Sequence, residues 1–309
     1  MILTVTLNAS IDKLYTVKSF TQDTVMRVKE CNYTAGGKGI NVSRVAKIAG
    51  EDVTATGFIG GHSGEYITEE LVKSGIISDF VKADGESRSC INILDESSGK
   101  HTEFLEPGLS VNQKDIDSFY HAFEKNLQSC SLVTISGSAP LGTNKDIYQK
   151  LILLADKHNK KAILDSSGEL LKNGIKANPL LIKPNAEEMS ALMNMPADTE
   201  EDIVKAAQKL HNGGISYVSV SLGKHGAILV CDEGIFRGYT PDIPVVNTVG
   251  CGDSMVAGFA VGFVRKYTAE EAFRFAMAVS TANALSRLTG HYLPKDAEKV
   301  MDKIKIVKL

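Results

Sequence analysis

Short β-branched runs and longer segments of helical period alternate along most of this chain. Residues 2–7, 53–59, 132–136, 162–165, 180–183 and 217–222 form nearly continuous apolar runs, the pattern of strands buried on both faces. Between them, residues 39–49, 64–73, 115–127, 145–157 and 200–210 carry apolar positions at the spacing of amphipathic helices. The alternation predicts an α/β fold, a three-layer sandwich whose central, mainly parallel sheet is flanked by helices. In such sheets ligands bind at the carboxyl ends of the strands, where the loops gather.

Two stretches break the rhythm. Residues 13–33 and 88–104 alternate at period two, with Met26 and Val28 against Arg27 and Lys29, and Ile91 and Ile93 against Asn92. Both leave the main path without a helix and return to it. They predict a small antiparallel β-sheet lid, spanning 12–34 and 87–105, inserted into one α/β core of 1–11, 35–86 and 106–309. A flat extra sheet with one apolar face would also serve as a homodimer contact. The last third reads as helical, at 253–264, 269–288 and 295–304.

Composition narrows the partners. Over 309 residues the net charge is −3 with no block of like charge, which leaves no basic field for nucleic acid or a membrane surface. The longest apolar stretch, 255–264, is half the ~20 residues a bilayer crossing needs. The first strand has no basic residue before it, unlike a signal peptide. Five scattered cysteines without a C-x-x-C pair and seven histidines without ligand spacing support neither a disulfide framework nor a zinc site. A cytoplasmic location is expected.

Three clusters carry candidate chemistry. In Asn247-Thr248-Val249-Gly250-Cys251-Gly252-Asp253-Ser254, two glycines let the backbone turn tightly before a strongly apolar helix. Amides at a helix start form an anion hole, and Asp253 in the first turn could take a proton from an attacking hydroxyl. The helix N-terminus should keep that carboxylate ionised and weaken it as a base. Asp and Ser at a helix start are equally ordinary caps. The second cluster, Gly36-Gly37-Lys38-Gly39-Ile40-Asn41, opens the first long helix and fails as a P-loop, because Asn32 and Gly39 stand where Gly and Ser/Thr are required. It would suit a sugar and its phosphate, or form only a strand-to-helix turn. In the third, Lys183-Pro184-Asn185-Ala186-Glu187-Glu188, Asn185 and Glu188 could serve Mg²⁺ or cap the coming helix.

Taken in order, these motifs resemble the ribokinase family of carbohydrate kinases, in its phosphofructokinase-B branch, nearest the 1-phosphofructokinases and tagatose-6-phosphate kinases. The resemblance covers the full length and begins with Thr6-Leu7-Asn8-Ala9-Ser10-Ile11-Asp12 at the end of the first strand. Weaker matches at Ser136-Gly137-Ser138-Ala139-Pro140 and Asp165-Ser166-Ser167-Gly168-Glu169 fall between the others. It implies an ATP-dependent kinase whose base is Asp253, with Gly250, Cys251 and Gly252 supplying anion-hole amides. Asp12, Gly36, Gly37 and Asn41 would hold sugar hydroxyls. Lys38, Ser138 and, from the lid, Arg27 and Arg88 would bind a phosphate already on the sugar. Lys183, Asn185 and Glu188 would serve the ATP phosphates and Mg²⁺, and Ser221, Gly223, Gly226, Thr248 and Asn283 would line the nucleotide pocket. The chain departs from the family at Cys251, where Ala is usual and a thiol would add bulk beside the chemistry. A ketohexose phosphate is the expected acceptor. An unphosphorylated sugar or nucleoside, and a silent sugar-phosphate sensor, are the alternatives.

Overall fold

A computed structural model describes residues 1–309. The first half runs β1 (Ile2–Thr6), β2 (Ser10–Val17), β3 (Glu30–Gly36), α1 (Lys38–Ile48), β4 (Val53–Ile59), α2 (Gly61–Lys73), β5 (Ile77–Ser78), β6 (Val81–Lys82), β7 (Arg88–Asp95), β8 (Lys100–Leu105), α3 (Gln113–Leu127) and β9 (Leu132–Ser136). It continues through α4 (Ile147–Lys157), β10 (Lys161–Asp165), α5 (Gly168–Gly174), β11 (Leu181–Ile182), α6 (Ala186–Met193), α7 (Glu200–Asn212) and β12 (Tyr217–Ser221). The rest is β13 (Ala227–Cys231), β14 (Gly234–Tyr239), α8 (Cys251–Val264), α9 (Ala269–Asn283), α10 (Pro294–Met301) and β15 (Lys305–Lys308).

The large sheet has the order β15-β14-β13-β12-β11-β10-β9-β1-β4-β5, with β6 also on β4. Pairing is parallel from β5 through β12 and antiparallel from there to β15. The alternation along β1 explains its central place: Ile2 enters the core on one face, while Leu3 and Val5 enter the core on the other. Helices α1, α8 and α9 cover the first face; α3, α4 and α7 cover the second. On the first face Thr4 meets Ser43 of α1 through a 2.6 Å hydroxyl contact, so a polar position inside the sheet is satisfied by the helix above it. No helix is long and apolar enough to cross a membrane.

The four-stranded second sheet has the order β3-β2-β7-β8. Its two outer pairs are antiparallel, as the sequence predicts, but the seam between β2 and β7 is parallel, with Ser10 opposite Arg88. Both excursions leave the α/β body in the same direction, so the outgoing strands lie side by side. Met26 and Val28, expected on a strand, belong instead to an irregular exposed segment between β2 and β3. Nothing opposite that segment offers a ladder, and period two alone does not make a strand.

The antiparallel end of the large sheet was not anticipated. Its signal was present in Asp232-Glu233-Gly234 between two β-rich runs, a hairpin turn with Gly234 at φ 128°. The helix expected over 269–288 stops at Asn283. There the Asn283 side chain turns to bond the Val249 carbonyl at 3.0 Å, and Ala284 O accepts from Val246 N and Asn247 N. Tertiary hydrogen bonds thus replace the next helical turn.

Candidate active site

A cleft of about 590 Å³ opens between the lid sheet and the carboxyl ends of β1, β9, β10 and β11. The segment 247–254 lies at its floor. Gly250 caps α8 at φ 82°, and a Cβ there would come 2.7 Å from Gly290 N and 2.9 Å from the Thr289 methyl; only glycine fits. Cys251 N–H is engaged with Thr248 O at 3.3 Å, which leaves the N–H groups of Gly252 and Asp253 as free donors at the helix start. Lys183 reaches the same place: a Cβ on Gly252 would lie 3.2 Å from its Nζ. Free amides, a helix N-terminus and an ammonium together form an anion hole.

Asp253 lies in the first turn of α8, buried yet lining the cleft. Asn41 Nδ2 donates to its Oδ2 at 2.8 Å, leaving Oδ1 for an incoming hydroxyl. Burial pushes this carboxyl up to about 6; Lys38, the Asn41 hydrogen bond and Lys183 pull it down, while Asp165 pushes with the burial. The sequence-based expectation of a base weakened by the helix N-terminus is therefore reversed. Packing by α1 removes water from the carboxylate, and desolvation outweighs the partial charge of the helix.

Near Asp253 lies a charge cluster around a buried carboxylate. Asp165, at the end of β10, is 3.4 Å from Lys38 Nζ and 3.6 Å from Lys183 Nζ, and its side chain is 1% exposed. Burial alone would raise its pKa, but Lys183 and Lys38 together bring it below the ordinary value. Lys38 in turn is raised, chiefly by Asp165. Lys38 lines the cleft and lies in the field of Asp253 and Glu188 as well as beside Asp165.

Arg88 begins β7. Its Nε donates to Asn8 O and its Nη1 to Glu106 O, both at 3.2 Å. Asn8 Nδ2 donates to Ser138 Oγ at 3.2 Å. The loops after β1 and β9 and the root of the lid thereby form one polar corner of the cleft. Asp12 faces the same space; burial raises its carboxyl, opposed by Ser10 Oγ, which donates at 2.7 Å, and by Arg44 and Arg88. Gly36 has no side chain because Asp12 occupies the place its Cβ would take. Gly37, at φ 98°, leads into α1.

Asn185 and Glu188 form a reciprocal cap. Asn185 Oδ1 accepts from Glu188 N at 2.8 Å, and Glu188 Oε2 accepts from Asn185 N at 2.9 Å. Both still line the cleft, with Glu188 Oε1 uncommitted. No group of three or more His, Cys, Asp or Glu side chains could enclose a metal. One free carboxylate oxygen at the cleft fits Mg²⁺, which keeps waters and takes further ligands from phosphates.

Other sequence-predicted residues are placed differently. Ser221 lines the cleft, whereas Gly223, Gly226 and Thr248 do not. Gly226 serves the β13–β14 pairing, where a Cβ would strike the Gly238 carbonyl. Asn283 is fully buried and braces the 247–254 loop from behind, donating to Val249 O and, at 3.4 Å, to Cys251 Sγ. That contact turns the Cys251 thiol away from the cleft, and burial raises its pKa, so it adds neither bulk nor a thiolate beside Asp253. Arg27 is exposed on the lid and lies outside the cleft. Sequence reasoning passed over Asn8 and Arg44, both inside quoted or adjacent motif segments, because neither shows its partner until the loops meet.

Several known proteins resemble this chain along nearly its full length. A tagatose-6-phosphate kinase of Staphylococcus epidermidis is 40% identical over 313 aligned residues, covering 100% of both chains. The structure of phosphofructokinase-2 from Escherichia coli superposes with a TM-score of 0.91 at 31% identity, covering 98% of each chain. A possible 1-phosphofructokinase from Thermotoga maritima gives 0.91 at 28% identity, covering 100% of this chain and 99% of that one. The model of the pfkB family carbohydrate kinases matches residues 5–296, and with that span of the chain and the cleft described above the protein belongs to this family.

Proposed function

We propose that this protein is an ATP-dependent kinase that phosphorylates a hydroxyl of a ketohexose phosphate to give a bisphosphate, of the 1-phosphofructokinase or tagatose-6-phosphate kinase type. The observation that carries it is the meeting, in one cleft, of a desolvated Asp253, an amide-lined helix start and the Arg88–Asn8–Ser138 corner. Asp253 Oδ1 takes the proton of the acceptor hydroxyl as the phosphoryl group moves. The Gly252 and Asp253 amides, with Lys183 and Lys38, stabilise the charge spread over the transferring group. Asp12, Asn41, Gly36 and Gly37 bound the sugar site. Glu188, with Asn185 beside it, would hold Mg²⁺ through waters against the ATP phosphates, where the ion supplies charge neutralisation. Ser221 borders the nucleotide side.

Arg88 and Ser138 favour an acceptor that already carries a phosphate, since an uncharged sugar has no use for a guanidinium held by two carbonyls. Arg88→Ala should raise KM for the sugar phosphate by about 10- to 100-fold, the worth of a charge-assisted hydrogen bond, and leave a neutral ketohexose nearly unaffected. Equal losses for both would remove the phosphate subsite. Steady-state kcat/KM with ATP and fructose 1-phosphate, tagatose 6-phosphate or fructose 6-phosphate tests the whole reading. No turnover with any acceptor, despite binding, would leave a sugar-phosphate sensor instead.

The core and lid are read as one catalytic unit, and the lid as the contact with a second copy. Val25, Tyr33 and Phe104 stand exposed on it, more apolar surface than a lid edge needs for itself. Phosphofructokinase-2 of Escherichia coli has a tetrameric inhibited form. Sedimentation should give a dimer here, and Phe104→Glu should shift it to monomer; an unchanged dimer would move the contact elsewhere.

A further inference from the structure

Arg44 acts near Asp253 without lining the cleft. One turn beyond Asn41 on α1, it is half-buried. Its Nη1 donates to Asn41 Oδ1 at 3.2 Å and to Thr289 O at 2.9 Å, and its Nη2 donates to Ala35 O. One guanidinium thereby ties together the end of β3, the first turn of α1 and the loop after α9. Asn41 is also packed from the far side, where a Cβ on Gly290 would come 2.8 Å from its own Cβ.

A side-chain amide can sit either way round with nearly the same shape, and its hydrogen bonds decide which. Rotated by half a turn, Asn41 would aim its oxygen at the Asp253 carboxylate and its NH₂ at the Arg44 guanidinium, acceptor against acceptor and donor against donor. With an anion on one side and a cation on the other, one orientation satisfies both neighbours. We infer that Arg44 is a positioning residue for phosphoryl transfer: it locks the Asn41 amide with its N–H toward Asp253, so that one carboxylate oxygen is held and the other is presented to the acceptor hydroxyl.

The charged and titratable groups whose fields reach Asp253 are Lys38 and Arg44 from α1, Asp165 from the end of β10, Lys183 after β11 and, on its own helix but turned away toward Asn283, the Cys251 thiol. Among them, Arg44 alone bonds the Asn41 amide. The Asn41 donor stabilises the carboxylate, so losing it raises the base's apparent pKa and moves the acid limb of kcat/KM to higher pH.

The wild-type acid limb is expected near the carboxyl value of about 6. Arg44→Gln should move it upward by about half to one pH unit and cut kcat by about tenfold, with KM for ATP and sugar phosphate changing less than about threefold. Arg44→Lys, which keeps a cation and one donor for Asn41 Oδ1, should bring the limb back to the wild-type pH. A role confined to folding would lower the unfolding temperature of both variants without moving the limb, and a limb fixed in Arg44→Gln overturns the assignment. If Arg44→Gln does not fold, neutron diffraction on the wild-type protein decides. Deuterons on the Asn41 atom facing Asp253 are expected; a bare oxygen there overturns it. The assignment rests on Asp253 being the base. Retained activity in Asp253→Asn would remove that reading, whereas an inactive Asp253→Asn with an unmoved Arg44→Gln limb removes only the role of Arg44.

Discussion

Asp253→Asn is expected to lower kcat by about 10²- to 10⁴-fold, the usual contribution of a positioned general base, while ATP affinity stays within about threefold. The isosteric amide can still meet Asn41 but cannot take the proton. The same variant should gain stability. Raising a carboxyl from its ordinary value to about 6 costs the folded protein about 3 kcal/mol at neutral pH. The folded state binds the proton more tightly than the unfolded state, so this contribution favours folding at low pH and is lost as pH rises from about 4 through about 6. Asp253→Asn should therefore melt higher than wild type at pH 7.5, and the gap should narrow toward pH 5. Retained turnover, or a lower melting temperature at neutral pH, would contradict the placement of a desolvated base at the cleft floor.

Asp165→Asn is the second large effect, and its sign on stability is opposite. Asp165 faces two ammonium groups, and the Lys183 side chain is only 6% exposed. Removing the carboxylate leaves a buried cation without compensation, a loss of about 3 to 5 kcal/mol for such pairs. The lower end applies here, because the Lys38 side chain is 41% exposed and water can screen it. Asp165 is held below its ordinary pKa, so its contribution is present above the unfolded value near 4 and disappears as pH falls below it. Chemical denaturation at pH 7 and at pH 3 measures the difference. In any folded fraction, the acid limb should move below about 6, since the Asp165 charge is one of the causes that raise Asp253. An Asp165→Asn variant as stable as wild type at pH 7 would mean that the two lysines do not depend on it.

The residues near 250 illustrate how much of the site the chain order carries. Glycines at 250 and 252 and an acid at 253, before an apolar run, are a local pattern, and their geometry at the start of α8 follows from local rules of turn and cap. Asn185 and Glu188 were equally legible, since a three-residue spacing at a helix start specifies their reciprocal cap before any tertiary contact forms. The runs Val53–Ile59 and Leu132–Ser136 placed both strands to the residue, because a strand buried on both faces carries no charged side chain and only β-branched or small polar ones.

Asp165 lies 127 residues from Lys38 and 18 from Lys183 along the chain, and the three become one charge cluster only where β10 and β11 end and α1 begins. Sequence alone determined the parallel strands, the main helices between them, and which turns carry glycine, acid and amide, because those depend on period and on bonds within a few residues. The antiparallel end of the sheet and the stop of α9 at Asn283 did not follow from period. Tertiary structure decided the strength of Asp253 as a base, the inward turn of Asn283 and Cys251, the position of Arg27 outside the cleft and the reach of Arg44 to Asn41. Each of those depends on how much water distant segments exclude and which charges they bring near, quantities that no local pattern contains.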